Sequence, residues 1–135
     1  MPGFLQRRLR LAQVVQHTDV ICPSAELTDG GQGVRFRVRL NGQTLAAFAI
    51  RYGGCVYAYL NQCAHQGIEL DWKEGYFFDM ERRLLICATH GALYHPDTGH
   101  CAGGPCRGGA LVPLSVAEEN NAVLLRAAGV QLVTY

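Results

Sequence analysis

Apolar and polar positions along the chain read as short strands separated by tight turns. Val34–Leu40 alternates apolar residues with arginines and runs into Asn41-Gly42, the strongest two-residue hairpin signal. Gln43–Tyr52 returns as the partner strand, with Ala47, Phe48 and Ile50 among its apolar positions. Gly53-Gly54 predicts a second tight turn before a third strand over Cys55–Leu60. Residues 84–87 predict a short buried strand, and residues 111–117 and 122–127 a closing hairpin across Glu118-Glu119-Asn120-Asn121. Short strands at such intervals predict an all-β sandwich or barrel. Arg35, Arg37 and Arg39 share one strand face and read as solvated rather than as a binding stripe.

Composition narrows the class. A chain of 135 residues is long enough for one domain with a real core. Twelve basic against eleven acidic residues give a net charge of +1, which points to neither a nucleic acid nor a membrane partner. The longest plain apolar run, residues 45–50, falls far short of the roughly 18 residues a membrane span needs. Arg7-Arg8 invites comparison with a twin-arginine export signal, but residues 9–17 are broken by charge and polarity, so no export core follows. A cytoplasmic protein is expected, with residues 1–32 forming an N-terminal extension packed on the domain or an edge strand.

The chemistry concentrates in two short runs, Cys63-Ala64-His65 and Cys87-Ala88-Thr89-His90. Each carries a thiol and an imidazole on its own loop, which suggests a metal centre clamped from two sides. Thiolate favours iron–sulfur or zinc, and imidazole tolerates either. Structural zinc usually pairs Cys with Cys and His with His, whereas each run here mixes the two. Gly67 and Gly91 let the backbone bend sharply and bring amide N–H groups toward cluster sulfurs. Any helix is expected between the two runs.

With their flanks, Cys63-Ala64-His65-Gln66-Gly67 and Cys87-Ala88-Thr89-His90-Gly91 resemble the C-x-H…C-x-x-H signature of Rieske [2Fe–2S] proteins. The likeness extends through Tyr94, Thr98-Gly99 and Gly104-Pro105 and covers roughly residues 33–127. It implies an all-β, Rieske-like antiparallel sandwich or barrel, with a small cluster-binding subdomain of two ligand loops and a Gly-Pro loop. The implied layout is a Rieske domain over residues 33–135, with the cluster-binding part at about 61–108. It also implies one [2Fe–2S] cluster per chain, one iron held by Cys63 and Cys87 and the other by His65 and His90. No catalytic residue is expected.

Other positions tune that expectation. Tyr94 matches the family's tyrosine whose hydroxyl supports a cysteine sulfur. Ile68 and Thr89 stand where respiratory relatives carry a bridged cysteine pair, and Ala92 where they carry a serine. The implied potential lies in the lower part of the Rieske range, roughly −150 to +100 mV. Cys22 and Cys55 are expected as buried thiols. Cys101 and Cys106 are expected unpaired in a reducing compartment, with pairing as the alternative. Trp72 and Tyr76 are expected to cover the core beside the cluster rather than to form a docking surface. His95 and His100 read as exposed loop histidines, and His17 has no supporting context.

The resemblance implies a soluble one-electron carrier, like the Rieske ferredoxins that work between a reductase and an oxygenase. The chain ends about 45 residues past His90, so no mononuclear-iron domain is expected, and no Gly-rich dinucleotide fingerprint is present. The expected partners are redox proteins. The alternatives are a redox-active small subunit or accessory module of a larger oxidoreductase, and a redox sensor using Cys101 and Cys106.

Overall fold

The computed structural model describes residues 19–64 and 66–133; Arg7, Arg8, His17 and His65 lie outside them. Eleven strands are described: β1 Val20–Pro23, β2 Val34–Leu40, β3 Gln43–Tyr52, β4 Cys55–Leu60, β5 Leu85–Ile86 and β6 Leu93–Tyr94, then β7 Cys101–Gly103, β8 Pro113–Leu114, β9 Val116–Glu119, β10 Ala122–Leu125 and β11 Val130–Leu132. They form three antiparallel sheets, ordered β11-β2-β3-β4-β8, β1-β10-β9 and β5-β6-β7. Two three-residue 3-10 turns, Ser24–Glu26 and Gly104–Cys106, complete the regular structure.

The hairpins follow from their turn residues. Asn41 and Gly42 have φ of 52° and 76°, the two left-handed positions that a twisted two-residue loop requires. That turn sets the β2–β3 register, which pairs Leu40 with Gln43 and Val34 with Ala49. Asn120 and Asn121, at φ 52° and 64°, do the same for β9 and β10.

Strand periodicity then builds two cores from one sheet. On β3, Ala47 and Ala49 face one core while Phe48 and Ile50 face the other, and all four are fully buried. The alanine side packs with Val38, Ala58, Leu60, Val123 and Leu125 against the β1-β10-β9 sheet. The aromatic side stacks Phe48 on Phe77 with ring centroids 3.9 Å apart, and Tyr59 lies 5.9 Å from Phe48. Burying each such ring contributes about 2–3 kcal/mol before entropy. This second core extends through Leu70, Leu85, Cys63 and Cys87 and seats the small β5-β6-β7 sheet on the larger one.

The segment between the two cysteine runs contains no helix among its described residues. Its carboxylates bond locally to backbone instead: Asp71 Oδ2 accepts from Gly75 N–H at 2.9 Å, and Asp79 Oδ1 from Arg83 N–H at 3.0 Å. Such side-chain bonds compete with helical ones, and Phe77 must leave the surface to reach the core. The short strands β1, β6, β7 and β11 lack the periodicity that marked the long hairpin. No helix of the described residues is long and apolar enough to cross a membrane.

Candidate metal centre

The two cysteine loops have the same hydrogen-bonded frame. In the first, Cys63 N–H donates to the Ile68 carbonyl at 2.7 Å and Gly67 N–H to the Cys63 carbonyl at 2.6 Å. In the second, Cys87 N–H donates to the Ala92 carbonyl and Gly91 N–H to the Cys87 carbonyl, both at 2.8 Å. Each pair closes the same five-residue excursion, and each closing glycine is left-handed, Gly67 at φ 72° and Gly91 at φ 77°. A side chain at either position would be strained. Ala88 N–H donates to the Leu70 carbonyl at 2.9 Å and ties the loops together.

A polar network that sequence reasoning missed fixes the base of the first loop. Asn61, 1% exposed, accepts from Leu70 N–H at 2.8 Å and donates to Asp71 Oδ1 at 3.0 Å. The buried Asp71 carboxylate takes the Gly75 amide and, at 3.3 Å, the Arg35 guanidinium. Arg35 also pairs with Glu69 at 2.5 Å and Glu74 at 3.2 Å. It therefore anchors the loop to β2, whereas a merely solvated strand face was expected. Glu69, Asp71 and Glu74 were the legible signal, since three acids need a cation and Arg35 stands on the adjoining strand.

The frame brings the Cys63 and Cys87 thiols into hydrogen-bonding contact deep in the core. Neither belongs to a disulfide. Burial pushes the Cys87 thiol above its ordinary range, the Thr89 and His90 backbone amides pull it back, and the neighbouring Cys63 raises it again. Those amides are the N–H groups that the glycine bend delivers to sulfur. Tyr94, fully buried, places its hydroxyl 3.1 Å from Cys63 Sγ and accepts from Ala64 N–H at 2.9 Å. A metal-bound Cys63 thiolate has no hydrogen to give, so in that state the Tyr94 hydroxyl donates to the sulfur. Burial beside Cys63 holds the phenol well above the usual tyrosine range.

His90 is exposed at the tip of the second loop, and His65 lies outside the described residues. His95 and His100 are exposed away from the thiols. Ile68 is partly buried against the core and Ala92 is fully buried. Thr89 accepts a hydrogen bond from Trp72 Nε1–H at 3.0 Å.

Three further expectations are corrected. Trp72 and Tyr76 do not cover the core, being 75% and 50% exposed, because Phe77 fills the space beside Phe48. Cys22 is buried, but Cys55 is exposed, since it opens β4 directly after the exposed Gly53-Gly54 turn. Cys101 and Cys106 form a disulfide, because the turn between them folds back and brings their Cα atoms to 5.6 Å.

Two buried thiols in contact, with a hydroxyl and two amides aimed at sulfur and an imidazole toward solvent, fit the donor set of a [2Fe–2S] cluster held by Cys and His. Among solved structures, the ferredoxin of carbazole 1,9a-dioxygenase from Nocardioides aromaticivorans IC177 is 22% identical, covers 80% of this chain and 95% of its own, and superposes with a TM-score of 0.62. The Sphingomonas yanoikuyae B1 ferredoxin is also 22% identical, with 78% and 94% covered and a TM-score of 0.60. The terminal oxygenase of carbazole 1,9a-dioxygenase from Novosphingobium sp. KA1 is 24% identical over 93% of this chain and 35% of its own, with a TM-score of 0.60. At such identities these likenesses establish the all-β fold. No curated protein matches the chain. The sequence profile of the Rieske [2Fe-2S] domain matches residues 17–124, a span that takes in both cysteine loops and the third loop beside them, and the chain therefore belongs to this family, which binds one [2Fe–2S] cluster.

Proposed function

We propose that the protein is a one-electron carrier that takes electrons from a reductase and delivers them to an oxygenase or a similar acceptor. The observation behind this reading is the polarity of the site, with two thiols and Tyr94 buried on one side and His90 at the surface on the other. Cys63 and Cys87 would hold the inner iron and His65 and His90 the outer iron, with the cluster-binding part at about 61–108 of a domain spanning 33–135. The cluster, when bound, supplies the one-electron couple. The chain's own residues do the rest. The second core excludes water from the sulfur side, while Tyr94 and the Thr89 and His90 amides stabilise negative charge there. His90, exposed at the tip of the second loop, offers the surface route by which an electron would pass to a partner. Solved relatives include a complex titled as reduced oxygenase with oxidised ferredoxin of carbazole 1,9a-dioxygenase, which supports partners of this kind. The compartment we assign is the cytoplasm.

The test is an electron paramagnetic resonance spectrum of the anaerobically purified protein before and after dithionite. A signal that develops on reduction, with the low average g value of a mixed Cys/His cluster, is the expected result. A protein that retains iron yet stays silent in both states would refute the carrier reading.

A further inference from the structure

The third loop, between β7 and β8, braces both cysteine loops at once. A Cβ added to Gly104 would lie 2.8 Å from the Gly91 carbonyl oxygen and 3.1 Å from the Ala92 Cα, so this residue rests directly on the second loop. One added to Gly109 would lie 3.0 Å from the Ala64 side chain, so the far end of the loop rests on the first. The Cys101–Cys106 disulfide spans this stretch. The bond reinforces two backbone contacts at its base, Cys101 N–H to the Gly109 carbonyl at 3.0 Å and Gly109 N–H to the Cys106 carbonyl at 2.7 Å. Cys106 is buried, Cys101 is half-buried, and Ala102, Gly104, Pro105, Arg107 and Gly108 around them are exposed. A thiol can therefore reach the bond from solvent at Cys101, while Cys106 anchors the otherwise exposed loop to the second core.

We propose that the Cys101–Cys106 disulfide is a reversible clasp, opened by small thiols, that sets how tightly the third loop is held over the metal centre. The inference rests on the electron-carrier reading and adds a control to it. A thiolate attacks the accessible Cys101 Sγ, the sulfur–sulfur bond breaks, and Cys106 leaves as thiolate and takes the attacking thiol's proton. A second thiol attacks the mixed disulfide, releasing Cys101 as a thiol and the small-molecule disulfide. Two electrons and two protons pass from two thiols to the protein, and the reverse sequence closes the clasp. Opening frees Gly104-Pro105 from Gly91 and uncovers the side of the centre bounded by Ala64 and Ala92.

The test equilibrates the cluster-loaded protein anaerobically with glutathione buffers of graded reduced-to-oxidised ratio. Thiol occupancy at Cys101 and Cys106 is read by alkylation and mass spectrometry, amide exchange over residues 101–109 by deuterium uptake, and cluster loss by absorbance after a fixed addition of dioxygen. The expected result is a two-electron transition within the glutathione range, with exchange and bleaching each about tenfold faster in the open form. Cys101→Ser/Cys106→Ser should match the open form in every buffer. A bond that resists all ratios, or that never forms, overturns the proposal, as does a transition that leaves both exchange and bleaching unchanged. Alkylation and exchange need no spectroscopic signal from the cluster. A silent resonance spectrum therefore counts against the carrier reading alone, and unchanged exchange counts against the clasp alone.

Discussion

Replacing Tyr94 with Phe removes one oxygen from the most enclosed part of the centre and leaves the ring in place. The hydroxyl lies 3.1 Å from Cys63 Sγ and accepts from Ala64 N–H at 2.9 Å, in a residue with no solvent exposure. A hydrogen bond to a charged group contributes about 1.5–3 kcal/mol. Reduction adds less than a full charge at the cysteine end, so we take about half of that strength as realised only in the reduced state. At about 59 mV per tenfold for a one-electron couple, the midpoint potential of Tyr94→Phe falls by roughly 30–65 mV. The Ala64 N–H loses its acceptor in a part-buried bond, so folding stability should also fall by about 1–3 kcal/mol. Film voltammetry at neutral pH measures the shift, with a resonance spectrum of each sample to show that the cluster is intact. A shift smaller than about 10 mV in an intact cluster would refute the reasoning, because the hydroxyl would then pack beside the sulfur without sensing its charge.

Other perturbations test separate parts of the site. Asp71→Ala strips a buried acceptor from Gly75, Asn61 and Arg35 and should cost about 2–3 kcal/mol in urea unfolding, a value discounted because Arg35 is one-third exposed; a loss below about 0.5 kcal/mol would mean that the network is ornamental. Gly104→Ala combines a φ of +77° with a collision at the Gly91 carbonyl, so cluster occupancy per chain should drop and stability should fall by about 1–3 kcal/mol; normal occupancy and stability would show that the third loop yields freely. Burial, assisted by Glu26, pushes the Cys22 thiol up to about 11 from an ordinary value of 9.0. A raised folded-state value means stability is intact below about pH 9 and is lost as pH climbs toward about 11; a thermal-unfolding series should show that slope, shallower in Cys22→Ala. Trp72 is the single tryptophan and bonds to Thr89 beside His90, so its emission should be quenched in the loaded protein and should rise when a chelator strips the iron; equal emission in both forms would place it out of range of the cluster.

Much of this protein was legible in its sequence because the relevant physics is local. The β2–β3–β4 meander was readable from Asn41-Gly42, Gly53-Gly54 and the alternation between them, since turn chemistry and period-two burial are properties of neighbouring residues. The two matched Cys/His runs were enough to recognise the family, because ligand chemistry depends on residue type and spacing. The resemblance likewise placed Tyr94 against a cysteine sulfur, where the structure has it. Tertiary structure alone decided what depends on packing between distant segments. Arg35 could be read as a solvated strand residue until the fold carried Asp71 to it across 36 positions, and a buried carboxylate then required a cation. Trp72 and Tyr76 read as the core aromatics of this segment, but Phe77 stacks on Phe48, because the turn held by the Asp71–Gly75 bond carries that residue inward. The disulfide was undecided by composition, because a pair of cysteines five residues apart can bond or remain as thiols, and only the path of the loop over Gly91 brings them together. Identity and spacing name the chemistry; which side chains meet, and which face water, is settled when the two faces of β3 are both buried.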